Sequence, residues 1–352
     1  MSLISLYVAA AVLAWAVTAV ATPPLIRLAS HLGVIDEIGD ERRVHEAPTP
    51  RTGGVAVFFG FAFALFAVLG IAIGDPRLLF AHAHLGGHTA DALYDQLSAG
   101  RDLIGLLFGS MLILGVGIWD DVMHMRPRNK LLAQVVVASI SMLYGFVIHG
   151  TSNPFVHDAR GGWIPFPWWL GVPLTLLWYV GMMNAINFID GLDGLLAGVT
   201  AISSTFLFVI AALHGNPVVA LVVAALAGAA TGFLPYNFNP ARIFLGDAGS
   251  LFIGYVFATV SIIGASKTEI AISLVVPLVA LALPILDTAA AIVRRARSGR
   301  RITEADRGHF HHQLIFRFGL NVRQAVLLIY AVTVALGTIA LLLSGDLIRV
   351  AS

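Results

Sequence analysis

The chain has 352 residues, 58% of them hydrophobic and only 12% charged, about half the charged share of an ordinary soluble domain. A mean hydropathy of +0.87 argues against a soluble globular fold and for a polytopic membrane protein. The net charge of +1 says nothing about nucleic acid, and no nucleic-acid partner is expected; the lack of cysteine excludes disulfides and thiolate metal sites.

Apolar runs close to the ~20 residues that span a bilayer as a helix recur along the whole length. The first, at 3–25, lacks a basic leader and reads as a retained span, with a cleaved signal peptide as the alternative. Nine more follow at 54–74, 103–118, 131–149, 164–182, 194–213, 217–235, 243–264, 270–292 and 324–344. Pro165, Pro167 and Pro173 predict a late or kinked start for the run at 164–182. No soluble domain, low-complexity tract or repeat interrupts the series. The expected architecture is one all-α polytopic membrane domain over 1–352, with about ten transmembrane helices in one bundle.

Basic residues set the orientation. Counted by loop parity, 16 of the 21 Lys and Arg fall on the side that holds the 26–53 loop and 5 on the other. This bias makes the 26–53 side cytoplasmic and places both termini outside.

Five polar clusters lie on that same side: HEAPTPRTGG (45–54), WDDVMHMRPRNK (119–130), NAINFIDGLDGL (184–195), NFNPARIFLGDAGS (237–250) and DRGHFHHQL (306–314). Opposite them only HAHLGGH (82–88) stands out, and it lacks close acidic partners. Solubility alone does not segregate clusters in this way, because both faces must be wet. One face is expected to carry chemistry.

Asp120 and Asp121 directly follow the run at 103–118. Adjacent carboxylates repel unless a cation sits between them; they read as a metal–phosphate site with one acting as base, or as a solvated helix end beside Arg126, Arg128 and Lys130. Asp190 and Asp193 are three apart, which a helix would place on one face, and Gly191 and Gly194 allow close backbone approach. The plainer reading is an acidic cap on the next span. Asp247 in FLGDAGS fits a turn presenting backbone N–H groups and one carboxylate to a phosphate-bound cation, or a turn with a cap. His309, His311 and His312 read as a phosphate-binding group, a zinc site or a wet loop. Asp287 is an acid near the end of its span and a lesser candidate. The donors are hard oxygens beside basic groups, which suits Mg²⁺ with substrate phosphate. The residues therefore point to Mg²⁺-dependent phosphoryl chemistry at the inner membrane face, between a lipid and a soluble phosphate ester.

The ordered set PTPRTGG, WDD, NFIDGLDGL, IFLGDAGS and HFHH resembles the polyprenyl-phosphate N-acetylhexosamine-1-phosphate transferase family, from about residue 35 to 315. The resemblance implies transfer of a sugar 1-phosphate from a UDP-N-acetylhexosamine to a polyprenyl phosphate, releasing UMP, as the first membrane step of a bacterial cell-envelope glycan. His-x-His-His is similar to the branch that uses UDP-N-acetylglucosamine; Phe310 interrupts the three consecutive histidines usual in the muramyl-pentapeptide branch. It implies Asp247 as the principal Mg²⁺ (or Mn²⁺) ligand, joined by Asp120, with Asp120 and Asp121 as an essential pair, one of them deprotonating or positioning the lipid phosphate. Asn187, Asp190 and Asp193 would shape the nucleotide pocket, Phe244 would stack on uracil, and Lys130 would contact phosphate. His309, His311 and His312 would face the sugar and diphosphate. Arg51 and Arg242 complete the substrate-binding set, Arg242 standing where lysine is common. The resemblance also implies a bacterial inner-membrane location and allows a homodimer. A muramyl or other UDP-N-acetylhexosamine donor is the near alternative. A transporter of a phosphorylated solute is the distant one, disfavoured because its acids would sit near the midplane in paired repeats.

Overall fold

The computed structural model describes residues 3–36, 49–74, 89–152, 163–267, 282–297 and 310–351. They form helices α1 (Leu3–Leu32), α2 (Gly53–Gly74), α3 (Thr89–Met123), α4 (Pro127–Leu143), α5 (Trp168–Ile189), α6 (Leu195–Leu213), α7 (Pro217–Asn237), α8 (Gly246–Lys267), α9 (Ala282–Arg297), α10 (Phe310–Phe316) and α11 (Val322–Ala351). Two antiparallel pairs of short strands close the ends. β1 (Ile35–Asp36) pairs β2 (Thr49–Pro50) with Ile35 opposite Pro50. β3 (Gly150–Ser152) pairs β4 (Trp163–Pro165) with Thr151 opposite Ile164.

Eight of these helices are long and apolar enough to cross a membrane, namely α1–α3, α5–α8 and α11. Two of the ten expected runs differ. The run at 131–149 is the 17-residue α4, which starts earlier, with Pro127 in its first turn, and stops at Leu143. The run at 270–292 lies partly outside the described residues, and its described end is α9. In the other direction, α3 extends well beyond 103–118, so Asp120 and Asp121 ride on its last turn rather than follow it.

The 30-residue α1 continues through Pro23 and Pro24. Pro23 has no N–H for the Ala19 carbonyl four residues earlier, and in a membrane an unsatisfied carbonyl is costly. The Tyr236 hydroxyl donates to that carbonyl at 3.1 Å and replaces the missing bond.

Helix α8 is the centre of the bundle. Of its span Gly246–Gly264, 89% is buried, against 28% for α1 and α11, which line the outside. It packs on α2, α3 and α5, while α7 packs between α1 and α6. Buried hydroxyls fix α8 to its neighbours: Tyr255 bonds Ser141 of α4 at 2.8 Å, Thr259 bonds Tyr179 of α5 at 2.9 Å, and Trp178 donates to the Ala258 carbonyl. In hydrocarbon such groups find partners within the bundle, which locks helix register.

Neighbouring spans run in opposite directions. The C-terminal ends of α1, α3, α5 and α7 therefore gather with the N-terminal ends of α2, α4, α6, α8 and α11. Cross-links at this end make the grouping explicit: Arg51 N–H to the Val34 carbonyl, Gly53 N–H to that of Phe244, Gly194 N–H to Asn237, and Arg323 to the Asn239 carbonyl.

Candidate active site

Four of the five sequence clusters are described at this one end. Asp120 and Asp121 come from the last turn of α3, Lys130 from the first turn of α4, Asn187 from the last turn of α5, and Asp247 from the first turn of α8. Lys130 Nζ lies 2.8 Å from Asp120 Oδ2 and 3.0 Å from Asp247 Oδ1. Asn187 Nδ2 donates to the same Asp247 oxygen and, at 2.7 Å, to Ser250 Oγ. Asp247 keeps 28% of its side chain exposed against 8% for Asp120, so Asp247 is the carboxylate that a ligand reaches.

The adjacent acids diverge. Asp120 Oδ1 accepts the Met125 N–H at 2.8 Å, which folds the chain back after α3. Asp121 points to α8: its Oδ1 accepts the Asp247 N–H at 2.8 Å and its Oδ2 the Ala248 N–H at 2.9 Å. These are two of the orphan donors that open α8, so Asp121 caps that helix from another one. Neither acid is a solvated helix end, since each is only 7% exposed.

The segment 190–194 is a turn between α5 and α6, so Asp190 and Asp193 do not share a helix face. Asp190 ends α5, while the position before α6 is Gly194 with φ 79° and no side-chain cap, which replaces the expected acidic cap. Asp193 faces the loop 237–241, where Oδ2 accepts from Asn239 Nδ2 at 3.0 Å and the Ala241 N–H at 2.9 Å. Asp190 is half-buried and lies within the field of Asp247, Asp121 and Arg51. Burial first, then the charges of Asp247 and Asp121, push its carboxyl up to about 8, against the opposing pull of Arg51.

Glycine spacing in PTPRTGG has a packing cause. A Cβ on Gly54 would stand 2.1 Å from Gly249 N, so only glycine lets α2 approach the start of α8. The neighbouring Gly53 backs Phe244: its N–H donates to the Phe244 carbonyl at 2.9 Å, and the Phe244 N–H donates to the Pro50 carbonyl at 2.8 Å. Arg242 is exposed and its guanidinium lies over the Tyr236 ring at 5.7 Å. Backbone of His311 and His312 belongs to α10; His309 lies outside the described residues, as does HAHLGGH. Ser250, Asn237, Asn239 and Tyr330 were not singled out from sequence. Ser250 could have been, being one turn after Asp247. Tyr330, whose hydroxyl donates to the Gly194 carbonyl, leaves no local signal.

Among the described residues no three acidic or histidine side chains converge as a metal cage. What converges is a pair of carboxylates, Asp120 and Asp247, around the Lys130 ammonium. Burial lowers the Lys130 pKa, but the Asp247 and Asp120 carboxylates outweigh it and hold it above the usual lysine value. Asp120, Asp121, Asp190 and Asp247 stand against Lys130 and Arg51, and the charges of Asp247 and Asp121 add to burial in raising Asp190. Such a site repels anionic substrates unless a divalent cation enters. Mg²⁺ is bound through one or two carboxylates plus phosphates and water rather than by an all-protein cage, so this donor set fits it.

Residues 103–265 match glycosyl transferase family 4. Over 313 residues the chain is 36% identical to a probable undecaprenyl-phosphate N-acetylglucosaminyl 1-phosphate transferase of Bacillus subtilis (strain 168), covering 88% of this chain and 77% of that one. The chain belongs to glycosyl transferase family 4. This family 4 protein is also 34% identical to the decaprenyl-phosphate N-acetylglucosaminephosphotransferase of Mycobacterium tuberculosis (strain ATCC 25618 / H37Rv), over 89% of its own length and 76% of the relative's. More distantly, it is 30% identical to the phospho-N-acetylmuramoyl-pentapeptide-transferase of Desulforudis audaxviator (strain MP104C), over 94% of its length and 96% of the relative's. It is an enzyme, a glycosyl-1-phosphate transferase acting at a membrane. The matched segment carries Asp120, Asp121, Lys130, Asn187, Asp190 and Asp247 and leaves out Arg51 and 309–312.

Proposed function

We propose that the protein transfers N-acetylglucosamine 1-phosphate from UDP-N-acetylglucosamine to a polyprenyl phosphate, giving polyprenyl-diphosphate-N-acetylglucosamine and UMP. The observation that carries this reading is the junction of Asp120, Lys130, Asn187 and Asp247 at one end of the bundle. There a lipid phosphate in the bilayer and a soluble nucleotide sugar can meet. Two relatives named for N-acetylglucosamine over most of the chain support the choice of sugar. The 16-to-5 bias of Lys and Arg supports placing this end in the cytoplasm, in a bacterial inner membrane, with both termini outside.

The step is a single displacement. An oxygen of the lipid phosphate attacks the β-phosphorus of the nucleotide sugar. The bond from that phosphorus to the oxygen shared with the α-phosphate breaks, and UMP leaves with that oxygen and its electron pair. Asp120 accepts the proton of a monoprotonated lipid phosphate. Lys130, freed from one carboxylate, holds phosphate oxygens in line. Asn187 keeps Asp247 in one orientation, Asp121 holds the start of α8, and Phe244 offers a face to uracil. Mg²⁺, when bound, would be held chiefly by Asp247 and would supply neutralisation of charge on the diphosphate and the leaving UMP.

Purified protein in detergent with polyprenyl phosphate, Mg²⁺ and UDP-N-acetylglucosamine tests the reading. UMP release is expected. UDP release would mean transfer of the sugar alone and would overturn the mechanism.

A further inference from the structure

One turn deeper than the charged cluster lies a second polar contact that the reaction does not use. Asn184 Nδ2 donates to Gln134 Oε1 at 2.7 Å, joining α5 to α4, and also to the Val180 carbonyl of its own helix at 2.8 Å. Gln134 is fully buried, and its Nε2 has no hydrogen-bond partner. Leaving a buried donor unmade is unfavourable, and an apolar side chain at 134 would avoid it. What glutamine adds is the cross-helix bond.

The spacing says what that bond does. Gln134 is four residues after Lys130 and Asn184 three before Asn187, so each amide shares a helix face with a residue of the cluster. Lys130 and Asn187 reach the same atom, Asp247 Oδ1, from different helices. Both must arrive in register for that oxygen to take an ammonium and an amide together. Helix α4 is short, 17 residues, and apart from Lys130 itself its described side-chain hydrogen bonds to other helices are those of Gln134 and Ser141. Ser141 fixes α4 to α8 almost two turns further from the cluster than Gln134.

We infer that Gln134 and Asn184 are a positioning pair for the reaction: their bond sets α4 against α5 so that Lys130 and Asn187 converge on Asp247. The inference rests on the transferase reading for its rate measurement and on geometry for the rest.

The test uses the full chain and the UMP-release assay with Gln134→Leu, Asn184→Leu, the double Leu variant, and the exchanged pair Gln134→Asn with Asn184→Gln. Each single Leu variant is expected to lower kcat about tenfold, the size of loss that a small misplacement gives, with KM for UDP-N-acetylglucosamine within about twofold of wild type. The double Leu variant should be no slower than the singles, because one bond is lost once. The exchanged pair should recover most of the rate. Wild-type kcat in the single variants, losses that multiply in the double, or an exchanged pair as slow as the singles would each overturn the pair. Thermal unfolding without substrate gives a second readout. A drop in midpoint for the double that is smaller than the sum of the two single drops is expected, and additive drops count against the pair. A wild type that releases no UMP would sink the transferase reading alone, since the unfolding cycle still decides the pair.

Discussion

Asp121 gives both carboxylate oxygens to the backbone of α8, and Asp120 gives one of its two to an ammonium. Substituting them should therefore separate stability from turnover. Asp121→Ala leaves two donors of a helix start unmet and is expected to cost about 1–2 kcal/mol, the usual worth of a lost cap. Asp120→Asn keeps its size and should hold the unfolding midpoint while turnover collapses. A midpoint drop in Asp120→Asn equal to that in Asp121→Ala would reject this division. Asp247→Asn is expected to abolish Mg²⁺-dependent UMP release in a protein that still folds; full activity in that variant would remove the metal assignment. Asp190 carries a pH signature. Its folded value is raised from 3.8 to about 8, so between those values the metal-free folded chain holds a proton that the unfolded chain has lost. Stability is then highest below about pH 4 on this account and falls as pH rises through 8. Asp190→Asn should flatten that slope in unfolding midpoints measured across pH 5–9 without divalent cation.

Among the elements, the closest contact at the site is between α2 and α8. Gly54→Ala would drive its Cβ into the Gly249 backbone, with no flexible side chain to yield. The start of α8, and Asp247 with it, must shift, and UMP release is expected to fall by at least tenfold with a lower unfolding midpoint. An unchanged rate would show that α8 tolerates the displacement. This contact was not legible in PTPRTGG, because nothing local marks which glycine meets another helix. Long apolar runs were legible because bilayer thickness acts on composition alone: the runs near 54–74, 194–213 and 217–235 match α2, α6 and α7 within a few residues. The 190–193 spacing misled, because a period of three carries no sign of where α5 ends. Beyond that end Asp193 packs on the 237–241 loop, a contact across 46 residues of chain.

Across the whole molecule, alternating helix direction does the assembling. Asp121 and Asp247, 126 positions apart, meet because an even number of crossings, α4 to α7, separates the end of α3 from the start of α8. That the clusters share one end was readable from loop parity; which acids touch was not, because parity says nothing of azimuth around a helix. The side of the membrane that this end faces follows from the basic bias, and the chain offers a clean way to measure it, since it has no native cysteine. His149 beside the β3–β4 pair and Arg317 after α10 are both exposed and lie at opposite ends of the bundle. In intact spheroplasts a membrane-impermeant maleimide is expected to label His149→Cys and to spare Arg317→Cys until the membrane is opened. The opposite pattern would turn the site outward, away from any cytoplasmic nucleotide sugar, and the proposed donor would have to be abandoned along with the orientation.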